Sequence, residues 1–149
     1  MRELILMRHA EAASADSATD DFNRALTSQG HDAATRAARS MALEHGAPQL
    51  ILCSPARRTQ QTAELLLQVQ QLAPARLRFE TAIYLATLTT LQRLVAATAD
   101  DITRLLLIGH NPGISQLLLW VAPDPDRRGL ATAQFTSLPL PVSRWDELR

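Results

Sequence analysis

Lysine is absent from this 149-residue chain: all fifteen basic residues are arginine. Alanine is abundant, and we attach no function to either bias. Cysteine occurs once, at Cys53. That excludes an intrachain disulfide and points to a reducing compartment. Net charge is also lacking. Fifteen acidic residues balance the arginines, so global charge indicates neither nucleic acid nor an anionic membrane as partner. No apolar run approaches the ~18 residues of a membrane span. Met1–Met7 holds a charged pair followed by only four apolar residues, too few for a signal peptide. The expectation is a soluble cytoplasmic protein, with no membrane or nucleic-acid partner and a monomeric state. Repeats, low-complexity segments and a glycine-rich nucleotide loop are missing. Two histidines without clustered carboxylates or cysteines make a poor metal site, so neither metal nor cofactor is expected.

What is present suits one globular domain over residues 1–149. Hydrophobic residues make up 46% and charged residues 20%, ordinary values for a chain that buries a core. Leu4–Met7, Leu50–Cys53 and Leu105–Ile108 are short apolar runs that read as buried strands. Between them lie helical patterns: Ser28–His45 behind a Thr27 cap, a segment from Ser54-Pro55 to about Gln71, Thr90–Thr98, and a segment after Asn111-Pro112 that stops before Pro123. Ser54 and Asn111 are each expected to cap a helix whose first residue is proline. Leu77–Phe79 reads as a short strand, and Ala133–Leu138 as an edge strand before an irregular tail. Strands alternating with helices predict an α/β three-layer sandwich with a mostly parallel central sheet.

The chemistry gathers at strand ends. The three buried runs stop at Arg8-His9, at Ser54–Arg58 and at Gly109-His110-Asn111. Parallel strands place their carboxyl ends on one sheet edge, where ligands of open α/β sheets bind. Helix N-termini and arginines there favour an anion, and the arginine fork matches phosphate oxygens. A neutral imidazole can carry a phosphoryl group covalently. A second imidazole can donate to the transferring oxygens.

Each feature alone has a bland reading. His9 or His110 singly reads as structural, and the two proline-containing turns as helix starts. Cys53 reads as a small buried hydrophobe, and Arg57 and Arg127-Arg128 as surface. His31 and His45 read as solvent-facing. The coincidence at three junctions defeats the bland readings of His9, His110 and the two turns; the others stand.

Those residues carry a resemblance. Leu4–Glu11 resembles the strand-Arg-His-Gly motif of the histidine phosphatase (phosphoglycerate mutase-like) superfamily. Ser54–Ala63 resembles its Ser-Pro-x-x-Arg-Ala-x-Gln-Thr-Ala segment, and Ile108–Gly113 its second-histidine motif. Asp21–Gly30 is similar to the Asp-x-x-Arg-x-Leu-Thr-x-x-Gly stretch of its short bacterial members, the SixA-like phosphohistidine phosphatases. The resemblance implies His9 as nucleophile, with Arg8, Arg58 and His110 completing a phosphate pocket. Arg24, Ser54 and Asn111 are implied as further substrate contacts. It implies a metal-independent phosphatase acting on a phosphorylated protein of a phosphorelay or phosphocarrier.

The chain departs from the pattern at two positions. Ala10 stands where glycine is usual and would be strained at positive φ. Thr59 stands where alanine is commoner. Larger members use a carboxylate to protonate an alkoxide leaving group; Glu80 and Glu11 are the candidates here, and neither lies in a recognisable motif. Phosphohistidine has a better leaving group, an imidazole of pKa about 6.5, so a pocket without an acid favours it. The competing expectations are a small-molecule phosphatase or mutase, which needs the acid, and a phospho-binding module without turnover.

Overall fold

The computed structural model describes residues 1–148. Its sheet follows from the apolar runs. Leu4–Met7 of β1 (Arg2–Arg8) and Leu105–Ile108 of β4 (Arg104–Gly109) are wholly buried. Runs apolar on both faces belong in the middle of a sheet covered on both sides, and these two strands pair in parallel at its centre. β2 (Leu50–Cys53) lies beyond β4, with the short β3 (Leu77–Phe79) outside it. On the other flank β5 (Phe135–Leu140) runs antiparallel to β1. The order is β3-β2-β4-β1-β5, the mostly parallel sheet expected. β5 keeps Leu138 and Leu140 inside and Pro139 outside, as an edge strand tolerates.

Strand alternation builds two cores. Leu4, Leu6, Leu52, Leu105 and Leu107 face α3 (Leu88–Ala96) and α4 (Gly113–Val121), meeting Leu91, Val95, Ile114 and Leu117. Ile5, Met7, Ile51, Leu106 and Ile108 face the other way. They pack with Ala38 and Met41 of α1 (Ser28–His45) and with Ala63 and Leu66 of α2 (Arg57–Gln70). These are the three layers. The helix after β1 covers one face and the helix after the neighbouring β4 covers the other. Such a switch opens a crevice at the strand ends between them.

Thr27 caps α1 as predicted, its Oγ1 accepting from Gly30 N at 3.0 Å. The other two expected caps are corrected. α2 starts at Arg57 and α4 at Gly113, neither with a side-chain cap. The α2 turn is closed instead by Thr59, whose Oγ1 lies within hydrogen-bonding distance of the Ser54 and Ala56 carbonyls. Ser54 and Asn111 each make a long-range side-chain bond, to His110 and to Leu130 O, besides one local bond. α3 begins two residues before the predicted Thr90, because Thr87 caps it.

The tail is more ordered than expected. Trp145 is fully buried, donates from Nε1 to Ile102 O at 2.7 Å, and lies under the Arg2 guanidinium. Arg2 Nε donates to Ser143 O at 2.9 Å, so the tail is tied to the first strand. Among the described residues, no helix is long and apolar enough to cross a membrane.

Candidate active site

Register brings the predicted site together. Arg8 pairs with Gly109, and Cys53 with Ile108. The ladder continues one residue further, His9 N donating to Gly109 O and Ser54 N to Ile108 O. His9, Ser54 and His110 therefore leave adjacent strands at one level. The two imidazoles lie 5.3 Å apart between ring centroids.

Hydrogen bonds assign the tautomers. His9 Nδ1 is 2.7 Å from the Ala10 carbonyl. A carbonyl only accepts, so Nδ1 carries the proton and Nε2 keeps its lone pair. His110 Nε2 is 2.8 Å from Ser54 Oγ. That oxygen also accepts from Ala56 N at 3.3 Å. Ser54 is fully buried and, among the described residues, its hydroxyl has His110 Nε2 as its hydrogen-bond acceptor, so its hydrogen serves Nε2. His110 Nδ1–H then remains a donor. It is buried without a partner, as are Nε of Arg8 and Nε of Arg58. Buried donors without acceptors are costly, and a phosphoryl group supplies the acceptors these three lack.

Both imidazoles are kept neutral. Burial pushes the His9 pKa down to about 4; the Ala10 bond opposes this, while Arg58, Arg8 and Arg24 reinforce it. Burial likewise lowers His110 to about 3, with Arg58 and then His9 adding to the effect. The Arg8 guanidinium is shifted down by burial and by Arg58.

Second contacts position these groups. Arg58 is almost fully buried. Its Nη1 donates to Asp21 O at 2.7 Å and its Nη2 to Asp21 Oδ2 at 3.1 Å. Tyr84 OH donates to the same Oδ2, and the Tyr84 ring stands edge-on to His110 with centroids 5.5 Å apart. Arg24 donates to Asp21 Oδ1 at 2.9 Å and to Ala13 O at 2.7 Å. Thr62 Oγ1 accepts from Ala10 N at 3.1 Å and donates to Arg58 O at 2.7 Å, joining the segments that follow β1 and β2. Gln61 Oε1 accepts from Leu26 N.

Asp21, Tyr84 and Thr62 were not singled out from sequence. Asp21 and Thr62 lie inside recognised motifs, which was the available signal. Tyr84 had none, its partner lying 63 residues away.

The remaining candidates fall elsewhere. Asn111 Nδ2 donates to Leu130 O at 2.9 Å, and its Oδ1 accepts from Ser115. It is neither a cap nor bonded to the imidazoles; it holds the Leu130 carbonyl, which lies 3.5 Å from Arg8 Nη1. Glu80 pairs with Arg78 and Glu11 accepts from Thr27 Oγ1, so neither acid candidate is bonded to His9 or His110. His31 is exposed, as expected; His45 is half-buried beside Glu3 and Phe135 because the start of β1 and β5 pack there. Arg57 and Arg128 are exposed, but Arg127 is half-buried with its Nε enclosed. Ala10 is fully buried and is not among the residues at positive φ, so its methyl costs no backbone strain. Among the described residues, no group of three or more His, Cys, Asp or Glu could hold a metal ion.

Comparison with known proteins identifies the family and the fold. The family model of the histidine phosphatase superfamily (branch 1) matches residues 4–79, and the chain belongs to that superfamily. A SixA protein from Agrobacterium tumefaciens, assigned as a phosphohistidine phosphatase, superposes with a TM-score of 0.83 at 27% identity, covering 91% of this chain and 90% of that one. One from Nakamurella multipartitia, assigned likewise, gives 0.80 at 30% identity, covering 99% and 88%. An uncharacterised chloroplastic protein of Arabidopsis thaliana is 32% identical over 120 residues, 75% of this chain. This chain spans 55% of that relative's length.

Proposed function

We propose that the protein is a metal-independent phosphohistidine phosphatase that works through a phospho-His9 intermediate. The observation that carries this is the set of three buried, partnerless donors around a histidine whose Nδ1 is tied to a backbone carbonyl. His9 Nε2 attacks phosphorus. The substrate ring, protonated by solvent at its other nitrogen, leaves as neutral imidazole: the P–N bond breaks and its electron pair returns to the ring. Arg8, Arg58 and His110 Nδ1–H hold the equatorial oxygens through the step, the main catalytic contribution in phosphoryl transfer. Water then attacks phosphorus, Nε2 leaves, and inorganic phosphate departs with the proton balance met by solvent.

The leaving group selects the substrate. An alkoxide needs a proton donor, and neither Glu80 nor Glu11 is bonded to the imidazoles. A phosphohistidine ring takes its proton from solvent at the other ring nitrogen, so it needs no acid in the pocket. The SixA likeness supports a phosphorylated protein as the substrate.

The test is phosphate release from a phosphohistidine protein and from a phosphate monoester, in EDTA, by wild type and His9→Ala. We expect release from the phosphohistidine protein alone, lost in the variant. Preferential release from the monoester would replace this reading with a small-molecule phosphatase.

A further inference from the structure

Asp21 is the acidic residue bonded directly to the phosphate-facing machinery. One carboxylate meets Arg58, Arg24 and Tyr84. These contacts, the Tyr84 bond foremost, hold its carboxyl well below the usual range, so it is ionised at any working pH. It takes the Nη1 and Nη2 of Arg58 and leaves Nε without a partner. The arginine is therefore anchored by one edge while its other edge is free for an anion. Without Asp21 the pocket would hold three cations, Arg8, Arg24 and Arg58, around two neutral imidazoles. With it, the net charge is two, which matches a phosphate dianion.

We propose that Asp21 is a resident counter-anion and positioning residue that caps the affinity of this pocket for phosphate and so lets the product leave. The proposal rests on the phosphate-pocket reading above. An extra positive charge would overbind the dianion released in the last step, and turnover would then be limited by product departure. Tyr84 belongs to the same device: its hydroxyl screens the carboxylate and so softens the field that opposes the anion.

Two variants of opposite expected sign test it, with inorganic phosphate alone as the probe and calorimetry as the readout. Asp21→Asn keeps an oxygen for Arg58 and Tyr84 but removes the charge. It should bind phosphate about tenfold tighter, the size expected of one charge several ångströms away at the protein surface. Its kcat should fall while kcat/KM is maintained. Tyr84→Phe unscreens the carboxylate and should bind phosphate several-fold more weakly. A merely structural Asp21 would weaken phosphate binding when changed to Asn, and that result overturns the proposal. So does unchanged or tighter binding by Tyr84→Phe. If wild type itself binds no phosphate, the phosphate-pocket reading fails as well.

Discussion

Ser54 shows how one residue sets the chemistry of another. Its hydroxyl accepts from Ala56 N and serves His110 Nε2, which fixes the donor hydrogen on Nδ1. Ser54→Ala removes that choice of tautomer. We expect kcat on phosphohistidine to fall by roughly tenfold or more, short of the roughly 10²–10³ lost with a direct transition-state donor. Ser54→Thr, which keeps the hydroxyl, should recover part of the loss. A fall equal to that of His110→Ala would mean that the serine itself touches the phosphoryl group. At this scale the sequence was readable where a side chain follows a buried strand directly: Arg8, His9 and His110 are fixed by register alone. Asp21 and Tyr84 were not, because each reaches the site from a loop whose path depends on tertiary contacts.

Among the elements, the turn after β1 depends on a close approach. A Cβ on Gly30 would lie 2.1 Å from the Glu11 carbonyl oxygen, which also accepts from Thr27 N. The Leu26-Thr27-x-x-Gly30 pattern is thus a cap plus a docking surface for the chain just past His9. Gly30→Ala should cost about 1–3 kcal/mol, the usual range for overpacking, and should lower kcat with it because the His9 loop must shift. A thermal melt and a kinetic assay check both; an unshifted Tm would show that the loop yields freely. Leu106 lies on the central strand and is wholly buried. Leu106→Ala should cost about 2–5 kcal/mol, measured by denaturant unfolding, without changing which substrate is cleaved.

The strands and most helices were legible because four-residue apolar runs and helical periodicity survive any context. The helix starts were not. A Ser-Pro or Asn-Pro pair looks like a cap, yet Ser54 and Asn111 find better partners in His110 and Leu130. Tertiary bonds override a local signal whose worth is only about 1 kcal/mol.

For the whole molecule, the two buried imidazoles link stability to pH. Their folded pKa values, about 4 and about 3, lie below the unfolded value near 6.5. Between these limits the unfolded chain binds more protons than the folded one, so stability rises with pH. It is fully present above about pH 6.5 and is lost as pH falls toward about 4. His9→Asn and His110→Asn variants should each lose less Tm than wild type between pH 7 and pH 5. Equal losses would mean that other groups govern acid unfolding. Phosphate should oppose this acid loss in wild type, since an anion that binds only the folded state stabilises it.

The central claim is that the phosphoryl group passes through His9. The direct measurement is rapid quench of wild type mixed with a radiolabelled phosphohistidine protein, followed by peptide mapping. We predict acid-labile, alkali-stable label on His9 within one turnover, absent from His9→Ala and lasting longer in Asp21→Asn, where slower phosphate departure favours rephosphorylation. Full turnover with no label on His9, or label on another residue, would contradict the account.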